Sequence, residues 1–234
     1  MGKRIMQRAR GKGGTAYRSP GHRFAGPIKY PMPGTAVIKD IIHDRGRDAP
    51  LAELMDEQKR RYLVIVAEGL AVGDTVNIAT PDAQPTNGSV LPLKAIPKGT
   101  PIFALENFPQ GGPKLCCTAG TRAIIIAHDE KKVTVQMPSK IIKDMNPNCL
   151  ATVGMPAGGG REDKMFVKAG QKHYLMRARN KMWPRSSAVK MNPVDHPFGG
   201  HTKPGMPKSA SRWAPPGQKV GAVAPKRMGI RKKK

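Results

Sequence analysis

Acidic residues are scarce in this chain of 234 residues. Asp and Glu together number 16, against 41 Lys and Arg, which leaves a formal net charge of +25. A surplus of positive charge says little about the fold. In a compact monomer the positive side chains would repel one another, and a polyanionic partner would relieve this repulsion. The shortage of acids therefore favours a partner that carries many negative charges.

Cysteines and long apolar runs are also few. The three cysteines are odd in number, and no apolar segment follows the charged opening Met1–Arg4, so the pattern argues against a secreted disulfide scaffold. No apolar run approaches the length of a membrane span. We expect a cytoplasmic protein with reduced thiols and no membrane contact.

The positive charge is concentrated at the two ends. Residues 1–34 hold eight Lys or Arg and no acid, and residues 171–234 hold sixteen with a single acid, Asp195. The centre, 35–170, holds seventeen basic and fifteen acidic residues and is nearly neutral. The ends are rich in Gly, Pro and charge, so they bury too little apolar surface to offset the entropy of ordering. The sequence therefore predicts a folded centre between two cationic arms that a partner orders.

The centre contains short strand-like segments separated by turn residues. Five segments are β-branched, apolar or alternating: Thr35–Ile42, Arg61–Ala67, Thr75–Ala79, Arg122–His128 and Val133–Met137. Gly and Pro interrupt the chain between them. These patterns predict an all-β centre.

One spacing in the centre occurs twice, 26 positions apart. The segments Leu70–Val76 and Ile96–Ile102 each place apolar residues three positions before and after a glycine, Gly73 or Gly99. Each is interpreted as a turn that enters a strand. The occurrence of this turn at two places indicates two small barrels rather than a long repeat array.

The one segment with helical spacing is Leu51–Arg60. Leu51, Leu54 and Met55 stand at positions i, i+3 and i+4, which would place them on one face of a helix. The segment is short, so we expect a helix of one or two turns.

Aromatic residues are placed mainly outside the predicted core. Seven of the eleven lie in the arms, and four of these are next to a cation, as in Lys29-Tyr30 and Arg212-Trp213. Rings beside cations suit stacking on unpaired bases, with the cation on phosphate. The alternative is a solvated tail, with Arg231–Lys234 as a localisation signal. We favour nucleic-acid contact because charge and rings occur together.

The neighbours Asp195 and His196 invite a catalytic interpretation, with His196 as a general base. Adjacent residues of an extended segment point in opposite directions, so Asp195 cannot easily orient His196, and the chain has no nucleophile-elbow GxSxG sequence.

His196 and His201 are five positions apart and no CxxC pair exists, which argues against a zinc site. We expect no enzyme, no cofactor and no resident metal, with Mg²⁺ ions between the arms and phosphate left open.

The same segment carries a resemblance to a known family. Met191–Gly200 reads MNPVDHPFGG and resembles the C-terminal signature of the universal second protein of the large ribosomal subunit, the L-two family. The family commonly has three glycines where this chain has Gly199 and Gly200. Four further segments resemble the family, the last of them its archaeal branch: Leu91–Thr100, Thr118–Thr121, Cys149–Gly154 and Tyr17–Phe24. The resemblance covers nearly the whole chain.

The resemblance implies an all-β fold, an OB-fold followed by an SH3-like barrel, flanked by extended irregular arms threaded into ribosomal RNA. The expected boundaries are 1–34 for the N-terminal arm, 35–86 for the OB-fold, 87–170 for the SH3-like barrel and 171–234 for the C-terminal extension. It also implies roles in subunit association, tRNA placement and assembly of the peptidyl-transferase region. The implied partners are large-subunit ribosomal RNA, neighbouring ribosomal proteins and small-subunit RNA at an intersubunit bridge.

The residues expected to bind RNA are cations, rings and polar side chains of the two arms. They are Arg18, His22, Arg23, Phe24, Arg177, Arg179, Lys181, Trp183, Arg185, Asn192, His196, Arg212 and Trp213. His196 matches the family histidine once proposed to assist peptide transfer, and because that chemistry belongs to RNA we interpret His196 as a positioning contact. Two other functions stay open: a free OB-type binder of RNA or DNA, and a His196-dependent hydrolase.

Overall fold

The computed structural model describes residues 2–79, 84–161, 163–200, 208–215 and 217–226. The chain divides into two compact units. The first, Pro20–Val167, is called the barrel unit below. The second combines Met1–Ser19 with Lys168–Lys234 and is called the arm unit. The predicted tail signal Arg231–Lys234 lies outside the described residues.

The barrel unit is built from twelve strands among its described residues. They are β1 Gly34–Ile42, β2 Leu51–Asp56, β3 Arg61–Ile65, β4 Thr75–Ile78, β5 Val90–Pro92, β6 Pro101–Phe103, β7 Leu105–Glu106, β8 Pro113–Leu115, β9 Ala123–His128, β10 Val133–Gln136, β11 Ile142–Met145 and β12 Leu150–Val153. Ten form one sheet in the order β11-β10-β9-β6-β12-β5-β4-β1-β2-β3, and β7 pairs separately with β8. The five predicted strand segments are confirmed as β1, β3, β4, β9 and β10.

The sheet consists of two antiparallel halves joined at one parallel contact. Strands β1 to β4 form one half, and β5, β6 and β9 to β12 form the other. The junction is the parallel pair β4 and β5, where Ile78 stands opposite Val90. Each half has its own buried apolar cluster, and a third cluster around Phe103 and Leu51 draws residues from both. This all-β arrangement was expected from the turns and alternation of the sequence.

The repeated spacing marks two equivalent turns, as predicted. Gly73 and Gly99 both have positive φ, 97° and 81°, a conformation that glycine adopts without a Cβ penalty. The Gly73 amide donates to the Ile38 carbonyl and the Gly99 amide to the Ile125 carbonyl, each at 2.8 Å. Each glycine thereby leads the chain into a strand, β4 or β6.

The predicted helix at Leu51–Arg60 is wrong. Residues Leu51–Asp56 form strand β2, which pairs with β1 on one side and with β3 on the other. Leu51 and Leu54 are fully buried in this strand. Hydrogen bonds to two neighbouring strands outweigh the weak helical spacing of a short segment, a common tertiary override of local preference.

The arm unit is mostly irregular, with two helices that the sequence did not predict. They are α1 Met6–Gly11 and α2 Ala169–Ala178, and neither buries a residue or carries a side-chain N-cap. A short parallel pair, β13 Ser209–Ala210 and β14 Ala222–Val223, completes its regular structure among the described residues. No helix in the described part of the chain is long and apolar enough to cross a membrane.

Candidate RNA interface

The arm unit concentrates the positive charge of the molecule. Its sequence contains 23 Lys or Arg and one acid, Asp195, whereas the barrel unit contains 18 basic and 15 acidic residues. The single acid is exposed and lies 3.9 Å from Lys3 Nζ, an exposed pair that neutralises little of the total. The arm unit therefore presents a nearly uncompensated cationic surface.

Backbone and amide contacts join the two ends of the chain within the arm unit. The Lys3 amide donates to the Val194 carbonyl at 2.8 Å. Asn180 Nδ2 donates to the carbonyls of Thr15 and Arg18, at 3.1 and 2.9 Å. The N-terminal segment is thereby held against the C-terminal one mainly by uncharged backbone and amide groups, alongside the exposed Lys3–Asp195 pair.

The MNPVDHPFGG segment folds as a compact turn and not as the extended segment assumed for Asp195 and His196 in the sequence. The amides of Asp195 and His196 both donate to the Asn192 carbonyl, at 3.0 and 3.2 Å, and the Gly200 amide donates to the Met191 carbonyl at 3.0 Å. Gly199 is required here because a Cβ would stand 2.3 Å from the Asn192 oxygen. The turn therefore depends on its own backbone.

His196 forms the interior of this turn. It is 4% exposed, and its Nδ1 accepts a hydrogen bond from the Phe198 amide at 3.0 Å. Its ring lies 5.0 Å from the Phe198 ring. Asp195 is directed to Lys3, so the two adjacent residues are not paired as a catalytic dyad requires. The structure gives His196 a role in shaping the turn, and its contact with RNA stays a prediction.

A pocket of about 360 Å³ lies at the end of helix α2 in the arm unit. His173, Met176 and Arg177 of α2 line one wall, because the spacing i, i+3, i+4 places them on one face of the helix, and Asn180 lines the pocket just beyond the helix end. The lining also includes Tyr17, Lys181 and Trp183. Tyr17, His173 and Met176 were not among the residues predicted from the sequence to bind RNA. Their proximity depends on α2, a helix that the sequence did not predict.

Comparison with known proteins decides the family. A profile described as "Ribosomal Proteins L2, C-terminal domain" matches residues 86–219. A "Large ribosomal subunit protein uL2" of Haloquadratum walsbyi is 44% identical over 98% of this chain and 97% of its own length. Proteins of the same name from Methanothermobacter thermautotrophicus and Methanothrix thermoacetophila are 43% and 44% identical, each over 99% of this chain and 100% of its own.

The chain belongs to the ribosomal protein L2 family. The resemblance stated from MNPVDHPFGG is confirmed, including its archaeal character, because these relatives are archaeal. The L2 assignment also confirms the all-β fold of OB and SH3-like type. The domain boundaries at residues 34, 86 and 170 stay predictions.

The predicted RNA-binding residues of this L2 chain are divided between the two units. Seven of them are exposed in the arm unit: Arg18, Arg177, Lys181, Arg185, Asn192, Arg212 and Trp213. Arg179 and Trp183 are half-buried there, while His22 and Arg23 are exposed in the barrel unit. Phe24 packs over Gly46, where a Cβ would meet its ring at 2.5 Å. Phe24 therefore already has a packing role within the barrel unit.

Tyr30 corrects the interpretation of Lys29-Tyr30 as a stacking pair. The tyrosine packs against two of the apolar clusters of the barrel unit. Its hydroxyl donates to the Ala104 carbonyl and is hydrogen-bonded to Thr152 Oγ1 at 2.9 Å. Burial raises the pKa of Tyr30 well above the ordinary tyrosine value. Through these contacts, Tyr30 anchors the segment that precedes β1 to the core of the barrel unit.

Glu106 is a second buried polar residue that the sequence did not identify. It is 1% exposed, and its carboxylate accepts from the amides of Gln110 at 3.2 Å, Gly112 at 2.9 Å and Leu150 at 3.0 Å. The carboxylate thus organises a loop and the start of β12. Its role is structural, because every contact goes to the backbone of its own unit.

Among the described residues, no group of three His, Cys, Asp or Glu side chains could hold a metal ion. The three cysteines are free thiols, and Cys149 is buried in the core. Burial raises the pKa of Cys116 to about 11, which keeps this thiol protonated at neutral pH. Mg²⁺ bridging to RNA phosphate stays a prediction.

Proposed function

We propose that the chain is a structural component of the large ribosomal subunit whose arm unit binds ribosomal RNA. The observation that carries this proposal is the segregation of charge, 23 basic residues and one acid in the arm unit against near neutrality in the barrel unit. Membership of the L2 family supplies the setting, since the relatives are named as large-subunit proteins. The family gives the chain a structural role, and an enzyme is not proposed.

The proposed mechanism is electrostatic scaffolding. Exposed cations such as Arg177, Lys181 and Arg185 neutralise phosphates and release the counterions condensed on them. Phosphate contacts position the protein without reading sequence, while unpaired bases supply local recognition. The barrel unit, with its three apolar clusters, is a folded platform that needs no RNA to bury its core.

The finer roles proposed are those implied by the family resemblance. They are subunit association, tRNA placement and assembly of the peptidyl-transferase region, within a cytoplasmic ribosome. Neighbouring ribosomal proteins and small-subunit RNA at an intersubunit bridge are proposed as further partners, with Mg²⁺ between arm and phosphate. The His196 turn would act by holding exposed Asn192 in place against RNA.

Co-sedimentation tests the proposal. The chain is expressed with a tag in its own host, and lysate is separated on density gradients at low and moderate salt. We expect the chain in the large-subunit fraction at both salt concentrations. Recovery solely in ribosome-free fractions would contradict the proposal and favour a free OB-type nucleic-acid binder.

A further inference from the structure

The pocket at the end of α2 combines aromatic rings with cations. Tyr17, His173 and Trp183 contribute rings, and Arg177 and Lys181 contribute positive charge. The His173 and Trp183 ring centres are 6.4 Å apart with the rings tilted. The volume of about 360 Å³ falls at the small end of the range for ligand pockets. Its size suits one ring system rather than a folded partner.

Positive charge also lies over one of the rings. Lys172 Nζ is 6.0 Å from the centre of the Trp183 ring. Among the residues that the structure describes, no acidic side chain lines the pocket, and the one acid of the arm unit, Asp195, contacts Lys3. The electrostatic field at the pocket is therefore positive, which favours a ligand attached to phosphate over an apolar or cationic peptide.

The walls of the pocket are held by interactions of their own. Asn180 follows α2 with a positive φ of 50°, a conformation that asparagine tolerates better than most residues. Its side chain donates to the Thr15 and Arg18 carbonyls on either side of Tyr17. The Lys181 amide donates back to the Met176 carbonyl at 2.9 Å. The pocket is thus formed in the chain alone, which reduces the ordering cost of binding.

We infer that this pocket receives one unpaired base of ribosomal RNA, stacked against Tyr17 and Trp183, with the adjoining phosphates on Arg177 and Lys181. Stacking on aromatic rings is available to any splayed base, and cations beside the rings suit its backbone. A paired base is excluded because its faces are covered within the helix. The inference rests on the proposed function, since a base reaches the pocket only if the arm unit lies on RNA.

Chemical probing of assembled large subunits provides the first test. Subunits are isolated from cells whose sole copy of the chain is wild type, Trp183→Ala, Trp183→Phe or Phe108→Ala, and 2′-hydroxyl acylation is mapped along the RNA. We expect an unpaired nucleotide to gain reactivity with Trp183→Ala and to return to the wild-type level with Trp183→Phe, which retains a ring. Phe108, 59% exposed in the barrel unit and outside the pocket, is the matched aromatic control and should leave that nucleotide unchanged.

The outcomes separate this inference from the proposed function. Identical reactivity in Trp183→Ala and wild-type subunits overturns the base pocket while the chain remains a ribosomal component. Absence of the wild-type chain from the subunits overturns the proposed function itself.

A second test does not require incorporation of the variant into subunits. The chain has two tryptophans, so Trp213→Phe leaves Trp183 as the sole indole reporter in the full chain. We expect a single-stranded uridine dodecamer to quench this fluorescence more strongly than an RNA duplex of equal length. Affinity is measured separately by the anisotropy of a dye-labelled dodecamer, and by this measurement Trp183→Ala should bind about tenfold more weakly than wild type, or worse. Equal affinity of Trp183→Ala and wild type, or equal quenching by the duplex, would overturn the inference.

Discussion

Tyr30 carries a hydrogen-bonding group into the core of the barrel unit. Its hydroxyl satisfies the Ala104 carbonyl and contacts Thr152, and the ring joins two apolar clusters. The neighbouring Lys29 made it look like an RNA-stacking residue in the sequence. A ring beside a cation has the same local signature whether it packs inward or outward, so only the tertiary partners distinguish the two.

Replacing Tyr30 by phenylalanine should lower the free energy of unfolding by about 1–3 kcal/mol, because a buried acceptor loses its donor. Urea denaturation of the full chain, followed by circular dichroism, measures the change. Tyr174→Phe is the matched control, since Tyr174 is 69% exposed and should change stability by less than about 0.5 kcal/mol. Equal losses in the two variants would refute the core role of Tyr30.

Stability should also depend on pH through Tyr30. Burial raises the pKa of Tyr30 in the folded state above its unfolded value, so the stability contributed by the neutral hydroxyl is complete below about pH 10 and is lost above it. We expect the stability difference between wild type and Tyr30→Phe to be constant from pH 7 to 9 and to shrink above about pH 10. A difference that grows in that range would contradict the assignment.

Gly199 sets the path of the signature turn. A Cβ at this position would approach backbone atoms of Met191 and Asn192 to 2.5 Å or less, and backbone cannot move aside cheaply. Gly199→Ala should therefore loosen the turn and expose His196, seen as a gain of about tenfold or more in amide hydrogen exchange at Gly200. Gly14→Ala, which meets nothing within 4 Å, should leave that exchange unchanged. Unchanged exchange in Gly199→Ala would show that the turn tolerates the clash.

At the scale of elements, five strands of the barrel unit followed from the sequence, and the helices did not. Alternation predicted β10, and a buried apolar run predicted β3, because sheets impose strong patterns on the chain. Helix α2 has no buried residue and no side-chain cap, so it lacks both signals by which a helix is recognised. Strand β2 was mistaken for a helix because Leu51 and Leu54, three positions apart, fit one helical face, whereas in the strand they lie on opposite faces and enter different apolar clusters.

The candidate site was predictable to a similar extent. The cations of the arms were visible because charge segregation requires no structure. The pocket was not, since it needs the α2 face and the amide clamp of Asn180. Glu106 was equally hidden, because a carboxylate that serves three backbone amides leaves no pattern in the sequence.

The Asn180 clamp gives a prediction at this scale. Asn180→Gly keeps the positive φ but loses both hydrogen bonds, whereas Asn180→Ala loses the bonds and strains the backbone. Both variants should release residues 14–18, measured as faster limited proteolysis after Arg18, with alanine the more affected. Asn192→Gly, at another exposed asparagine of the arm unit, is the control. Cleavage at the wild-type rate in both Asn180 variants would rule out the clamp.

At the scale of the whole molecule, charge and core are separated. The barrel unit holds the three apolar clusters and almost balances its charges, while the arm unit holds 23 cations and little apolar burial. A protein organised in this way folds one unit by hydrophobic burial and presents the other, held together mainly by hydrogen bonds, to a polyanion. The central claim is therefore that the cations of the arm unit carry the affinity for RNA.

The salt dependence of binding tests this claim most directly. Affinity of the full chain for large-subunit ribosomal RNA is measured across salt concentrations for two variants with equal charge loss. In one, Arg177, Lys181, Arg185 and Arg212 of the arm unit become Gln, and in the other, the exposed barrel residues Lys39, Lys94, Lys98 and Lys131 do. The slope of log K against log salt is negative, because added salt weakens binding. We predict that the arm variant reduces the magnitude of this slope by up to about 0.7–0.9 per lost phosphate contact. The barrel variant should leave the slope nearly unchanged. Equal slopes in the two variants, or a larger drop in the barrel variant, would contradict the account.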